Sequence, residues 1–211
     1  MSGSWQNALK WIFYLALVVG TVAIYNLVRG TPTVRYFVAD LKPKMNGLVN
    51  FESDLRALDC LRVERDDLLG GLDPLYPLAW CWRNGAAPVT ASNFKNKGCA
   101  IRSHVGLVML KDGKARFVGG AAELAATFAP IRSPGEALSY AFAATALHIS
   151  PSESYVDESP GGYTVRLYSE MEPPCGCAEH KTFAVDVFVA PQGDIREIGR
   201  QVVRQILACI D

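Results

Sequence analysis

The stretch from Trp11 to Val28, WIFYLALVVGTVAIYNLV, constrains this chain more than any other. It carries no charge, and only Gly20, Thr21 and Asn26 interrupt an apolar or aromatic run. An α-helix rises ~1.5 Å per residue, so a run of about 18 residues spans ~27 Å, close to a bilayer's hydrocarbon core. Lys10 and Arg29 bracket the run, and Trp5, Trp11, Tyr14 and Tyr25 lie near its ends, where membrane interfaces collect aromatic rings. The expectation is an N-terminal transmembrane helix. A cleaved signal peptide would have a shorter apolar core of ~7–15 residues followed by small residues, and Ile24 to Arg29 offers no such site. The organisation expected is a short tail at 1–10, a membrane span at 11–28, a juxtamembrane linker at 29–49 and one domain at 50–211.

Orientation is contested within the sequence. Arg29, Arg35, Lys42 and Lys44 follow the apolar run and, by the positive-inside rule, would hold the domain in the cytoplasm. The cysteines argue the other way. All six (Cys60, Cys81, Cys99, Cys175, Cys177 and Cys209) lie outside the apolar run, and an even number there suits disulfides in an oxidising compartment. The expectation is a disulfide-stapled domain outside the cytoplasm, periplasmic or extracellular. Six cysteines allow about fifteen pairings, which sequence alone leaves open.

Charge excludes one class of partner. The chain holds 21 basic and 21 acidic residues with no basic patch, which argues against nucleic acid. The residues after the apolar run suffice for one domain with a proper core.

Past Gly30-Thr31-Pro32, Val34 to Leu41 reads as a short strand or an extended linker. From Asn50 to Leu69, the spacing of Phe51, Leu55, Leu58, Leu61 and Val63 predicts a helix. Leu72 to Trp82 reads as an irregular packed segment around Cys81, in which Trp80 and Trp82 either bury that cysteine or form a stacking or docking surface. His104 to Leu110, the turn Lys111 to Lys114, and Ala115 to Val118 form a hairpin, signalled by Asp112-Gly113 between apolar runs. Helices are expected at Ala121 to Phe128 and after Ser133, where Ser133, Pro134 and Glu136 make a capping box. Ala137, Leu138, Ala141, Phe142 and Ala144 give the second helix a small-residue face for a sheet. Strands follow at Tyr163 to Tyr168, Phe183 to Val189 and Asp194 to Ile198, with a turn at Gln192-Gly193. From Gly199, the recurrence of Val202, Val203, Ile206, Leu207 and Ile210 predicts a terminal amphipathic helix. The fold class expected is α+β: the N-terminal transmembrane helix, then a disulfide-stapled antiparallel sheet with helices packed on one face.

Val105 to Leu124 and Val185 to Arg204 align without gaps, matching at Val105/Val185, Gly113/Gly193, Arg116/Arg196 and Gly119/Gly199. Each reads as strand, turn, strand, helix. In topology alone the unit resembles the helix-then-sheet units of small extracytoplasmic modules of the PepSY type, and no residue role follows from the likeness.

Candidate chemistry is sparse. Cys175-Gly176-Cys177, with His180 three residues on, has donors for a soft metal ion or a redox disulfide, but a lone Cys-x-Cys lacks a second ligand pair. The even cysteine count favours each pairing with a distant cysteine to pin this loop to the domain. His104 and His148 join no ligand motif, and no Gly-x-Ser-x-Gly elbow is present. Glu64, Asp66, Asp67, Glu170 and Glu172 read as solvated charge. None of the glycine pairs has the spacing of a phosphate loop. No catalytic residue and no cofactor is expected.

The leading expectation is therefore a single-pass, non-catalytic accessory protein. It would contact the bilayer through residues 11–28 and dock on another membrane or extracytoplasmic protein. The alternative is a membrane-tethered thiol redox or metal-handling protein using Cys175, Cys177 and His180. A third reading is a ligand-binding module with a pocket between the sheet and the Ala-rich helix.

Overall fold

Burial alternates through Gly162–Tyr168 and the end of Gly176–Val189, and the described strands build two antiparallel sheets. The computed structural model describes residues 33–41, 58–72, 76–84, 95–97, 103–118, 120–145, 147–170, 172 and 176–210. The chain divides into two units, Met1–Val34 and Arg35–Asp211, and nearly all described residues belong to the second. Strand β1 (Val34–Phe37) runs into a single helical turn, α1 (Val38–Leu41). There follow β2 (Arg62–Glu64), a 3-10 turn (Asp67–Leu69), β3 (Leu78–Asn84), β4 (Lys95–Lys97), β5 (Ser103–Lys111) and β6 (Lys114–Phe117). Helices α2 (Ala121–Phe128) and α3 (Pro134–Ala144) precede β7 (Tyr155–Ser159), β8 (Gly162–Tyr168), β9 (Gly176–Val189) and β10 (Ile195–Ile210).

One sheet has the order β1-β7-β8-β9-β10; the other runs β2-β3-β5-β4, with β6 also on β5. Inward residues of both sheets, among them Val165, Val185, Leu78 and Leu107, share one core cluster with α2 and α3. Helix α3 is apolar on all sides and buried from Ala137 to Ala143, which suits a helix enclosed between layers. Its N-terminus is capped as the sequence predicts: Ser133 Oγ accepts from Glu136 N–H at 3.2 Å. The Glu136 carboxylate accepts from Arg132 N–H instead of the Ser133 amide of the standard box. Two buried polar side chains of α3 are satisfied by backbone. Ser139 Oγ donates to Leu68 O at 2.7 Å and accepts from Gly71 N–H at 2.9 Å. Tyr140 Oη donates to Gly193 O at 2.7 Å.

That second bond reaches the β9–β10 turn. Gly193 has φ +91°, and a Cβ there would lie 2.8 Å from Ala125 Cβ, so only glycine lets the turn close on α2 and α3. The β5–β6 hairpin forms where Asp112-Gly113 predicts it, with φ 53° and 75° at those residues.

The α+β expectation is corrected: the described residues are predominantly β, in two antiparallel sheets with α3 between them, where one sheet with helices on one face was expected. Two predicted helices account for the difference. Residues 50–57 lie outside the described residues, but Arg62–Glu64 is a strand on β3, with Val63 opposite Cys81. Residues 199–210 are not helical either, because β10 continues to Ile210. Register shifts at Glu197/Gly199 and Val202/Arg204 each admit an extra residue, Ile198 and Val203. A bulge places two apolar neighbours side by side, so Val202-Val203 and Ile206-Leu207 mimic the i, i+1, i+4, i+5 spacing of a helix. The second copy of the internal echo thus has no helix, and the topological likeness drawn from it is withdrawn. The predicted transmembrane helix is not supported: residues 11–28 lie outside the described residues, and no described helix is long and apolar enough to cross a membrane.

Burial, and secondarily the Asp194 carboxylate, push the Tyr140 phenol up to about 12. An unfolded tyrosine titrates near ~10, so the raised value adds stability that is complete below pH ~10 and is lost as pH climbs through about 12. Tyr140→Phe is expected to destabilise by ~1–2 kcal/mol at neutral pH, since the Gly193 carbonyl loses its donor. The variant should also lose less stability than the parent between pH ~10 and ~12 in urea titrations. Equal alkaline losses in both proteins would refute the assignment.

Candidate functional site

Among the described residues, two surfaces stand out once the core is assigned. The first is the free edge of β10. It is the last strand of its sheet, and no described strand pairs with its far side. At 16 residues it is long for an edge strand. Its exposed apolar residues are Ile198, Val202, Val203 and Leu207, the last 86% exposed. Protective devices of edge strands are partly present. Arg200 bonds Glu197 at 2.9 Å and reaches Glu172 at 3.4 Å, and both bulges twist the strand locally. Arg204 forms no ion pair among the described residues.

A disulfide and a histidine hold this ribbon together near its end. Cys177 and Cys209 face each other across β9 and β10 and are bonded. His180 is fully buried, and its Nε2 lies 2.9 Å from Gly176 O and 3.0 Å from Ala208 O. Carbonyl oxygens only accept, so Nε2 carries the hydrogen and ties the two strands together. The proposed Cys175, Cys177 and His180 constellation is thus placed as follows. Cys177 is joined to Cys209, the His180 ring hydrogen is directed to backbone, and Cys175 lies outside the described residues. No group of three or more metal-ligating side chains occurs among the described residues.

Of the other cysteines, Cys60 and Cys81 are joined, and Cys99 lies outside the described residues. No described cysteine is free. The Cys60–Cys81 bridge lies on the outer face of its sheet with Ala79, Val108 and Val63.

Strand alternation then sends Trp80 and Trp82 to the opposite face. These two tryptophans do not pack around the disulfide. They line the second surface, a half-open cleft of about 230 Å³ between this sheet and α3. Trp80 meets Phe142 of α3 edge to face, with centroids 5.5 Å apart. Glu64 and Asp66, read from the sequence as solvated charge, line the cleft together with His148. Trp82 Nε1–H donates to Glu64 Oε2 at 3.1 Å, and Asp66 Oδ1 accepts from Leu68 N–H at 2.9 Å. His148 Nε2 lies 3.3 Å from Glu170 Oε1, while His104 is placed on β5.

On the outer face of the larger sheet, Arg166 makes a bidentate pair with Asp186 at 2.8 and 2.7 Å, and Arg35 pairs the same way with Asp157 at 2.7 Å. Arg35 also lies 3.8 Å from the centre of the Tyr155 ring. The hydrogen bond to Asp186 holds the Arg166 guanidinium above its ordinary value. These two pairs tie neighbouring strands of this sheet together.

The chain matches no known protein family, no curated protein and no solved structure.

Replacing both Cys177 and Cys209 with serine is expected to loosen the ribbon end and leave the core intact. Amide hydrogen exchange over 177–182 and 204–209 should accelerate about tenfold or more, with α3 unchanged. Unchanged exchange in the ribbon would show that the bridge does not hold it.

Proposed function

We propose that the chain is a non-catalytic interaction protein that docks on a partner by strand addition along β10. Its disulfide-stapled β domain lies outside the cytoplasm, and the uncharged run at 11–28 associates it with a lipid bilayer. The observation that carries the docking reading is the long β10 edge with Val202, Val203 and Leu207 exposed along it. An unpaired strand edge offers a row of N–H and C=O groups to an extended segment of another chain, and alternate side chains supply specificity. Arg204, without an ion pair among the described residues, and Arg196, set against the Phe188 ring, favour a partner strand that is apolar with acidic residues. The two disulfides among the described residues support an oxidising compartment. Because Cys177 is bonded to Cys209, the reading as a thiol redox or metal-handling protein lacks a comparable observation.

A photo-crosslinking residue at Leu207 or Val203, in the full chain expressed in its own host, tests the proposal. A discrete adduct is expected at both positions and none at Asp112 on the β5–β6 turn. Lysine at Val203 should abolish the Leu207 adduct without lowering thermal stability, since the site is already exposed. Adducts equally strong at Asp112, or none at β10, would overturn docking by this edge.

A further inference from the structure

We propose that the Cys177–Cys209 bridge is a reducible switch, opened by a protein dithiol, that unlocks the outer half of the β10 edge. Its functional consequence rests on the docking reading above, whereas its chemistry does not. Strand β8 pairs with β9 only between Ala184 and Val189. Past that point the ladder from Thr182↔Arg204 to Gly176↔Ile210 forms a two-stranded arm. The isolated bridge Glu172↔Lys181 is its one further backbone pairing among the described residues. A ribbon of two strands is only marginally stable in water, so the arm leans on its cross-ties. His180, fully buried, ties the strands from one face, and alternation sets the disulfide on the other.

Exposure separates this bond from the other described one. Cys177 and Cys209 are both exposed. Cys81 is fully buried, in a cluster with Ala79 and Val108. Exposed disulfides are the labile and regulatory ones, because exchange requires a thiolate to reach a bridge sulfur. Glu179 shares the face of Cys177, and Lys181 pairs with it at 3.1 Å, so that carboxylate is answered by a cation before a thiolate approaches.

In the reaction, one thiolate of the dithiol attacks a bridge sulfur, the S–S bond breaks, and the displaced sulfur takes a proton. The second thiol then displaces the cysteine held in the mixed disulfide, which leaves as a thiol. Two electrons and two protons pass to the bridge, and the dithiol departs as a disulfide. The chain is the target of reduction, not its agent. Opening the bridge lets residues 204–210 fray from the tip, which removes Leu207 from the docking edge. Residues 195–201 lie opposite the part of β9 that β8 backs, and they stay in place.

The test is partial reduction of the full chain in glutathione buffers of graded reducing strength, followed by alkylation, peptide mapping and amide hydrogen exchange. Cys177 and Cys209 are expected to be alkylated in buffers that leave Cys60–Cys81 linked. In that state exchange over 177–182 and 204–209 should rise about tenfold or more, while 195–201 and α3 hold. Reoxidation should reverse the change. A photo-crosslinking residue at Leu207 should give its adduct only in the oxidised chain. Opening of Cys60–Cys81 first would overturn the switch, as would arm exchange that does not change once Cys177–Cys209 is open. A Leu207 adduct of equal strength in both states would overturn its control of docking. Failure of that adduct in both states would instead overturn docking along β10, which the exchange result does not touch.

Discussion

The fold depends on enclosing α3. A helix that is apolar all round cannot lie on the surface of one sheet, since its far side would face water. Ala137, Ala141 and Ala143 keep the helix narrow, while Phe142 meets Trp80 and Tyr140 reaches the β9–β10 turn. The only polar atoms this burial strands on α3 side chains, those of Ser139 and Tyr140, are answered by backbone groups at Leu68, Gly71 and Gly193. Those bonds also fix the 3-10 turn and the β9–β10 turn against the helix, so one buried element positions both the cleft and β10. The cleft opens where Phe142 meets Trp80, and β10 starts at the turn that Tyr140 holds.

With the core so complete, apolar groups left outside acquire meaning. Exposed hydrophobic residues scattered singly are ordinary, but several along one unpaired edge are a hazard unless something covers them. The β9–β10 ribbon is moreover reinforced, by the Cys177–Cys209 bridge and by His180, where a floppy arm would have needed neither. A stiff, extended edge loses less entropy on pairing, which favours recognition. The two disulfides among the described residues do different work: one stiffens the ribbon, and the other gathers a small outer cluster behind β3.

Local chemistry was legible in the sequence wherever a short motif has one structural solution. Asp112-Gly113, Ser133-Pro134-Gly135-Glu136 and Gln192-Gly193 each marked its element correctly. Periodicity failed where strands are irregular. At β10 the bulged residues Ile198 and Val203 break the two-residue alternation, and the result imitates a helix, although tandem β-branched residues favour a strand. At β2, three residues are too few for any period to show. The cleft was half visible: alternation in Leu78-Ala79-Trp80-Cys81-Trp82 already places the tryptophans and the cysteine on opposite faces. What no local pattern held was the meeting of Glu64, Trp82 and Phe142, which only the packing of α3 between the sheets brings together.

The most direct measurement is a disulfide map by mass spectrometry of the full chain purified from its own host, alkylated without reduction. The account expects peptides linking Cys60 to Cys81 and Cys177 to Cys209. That result would fix the β9–β10 register, the oxidising compartment and the rigid edge together. A Cys175–Cys177 linkage, or free alkylation of Cys177, would contradict it and bring thiol chemistry to the fore.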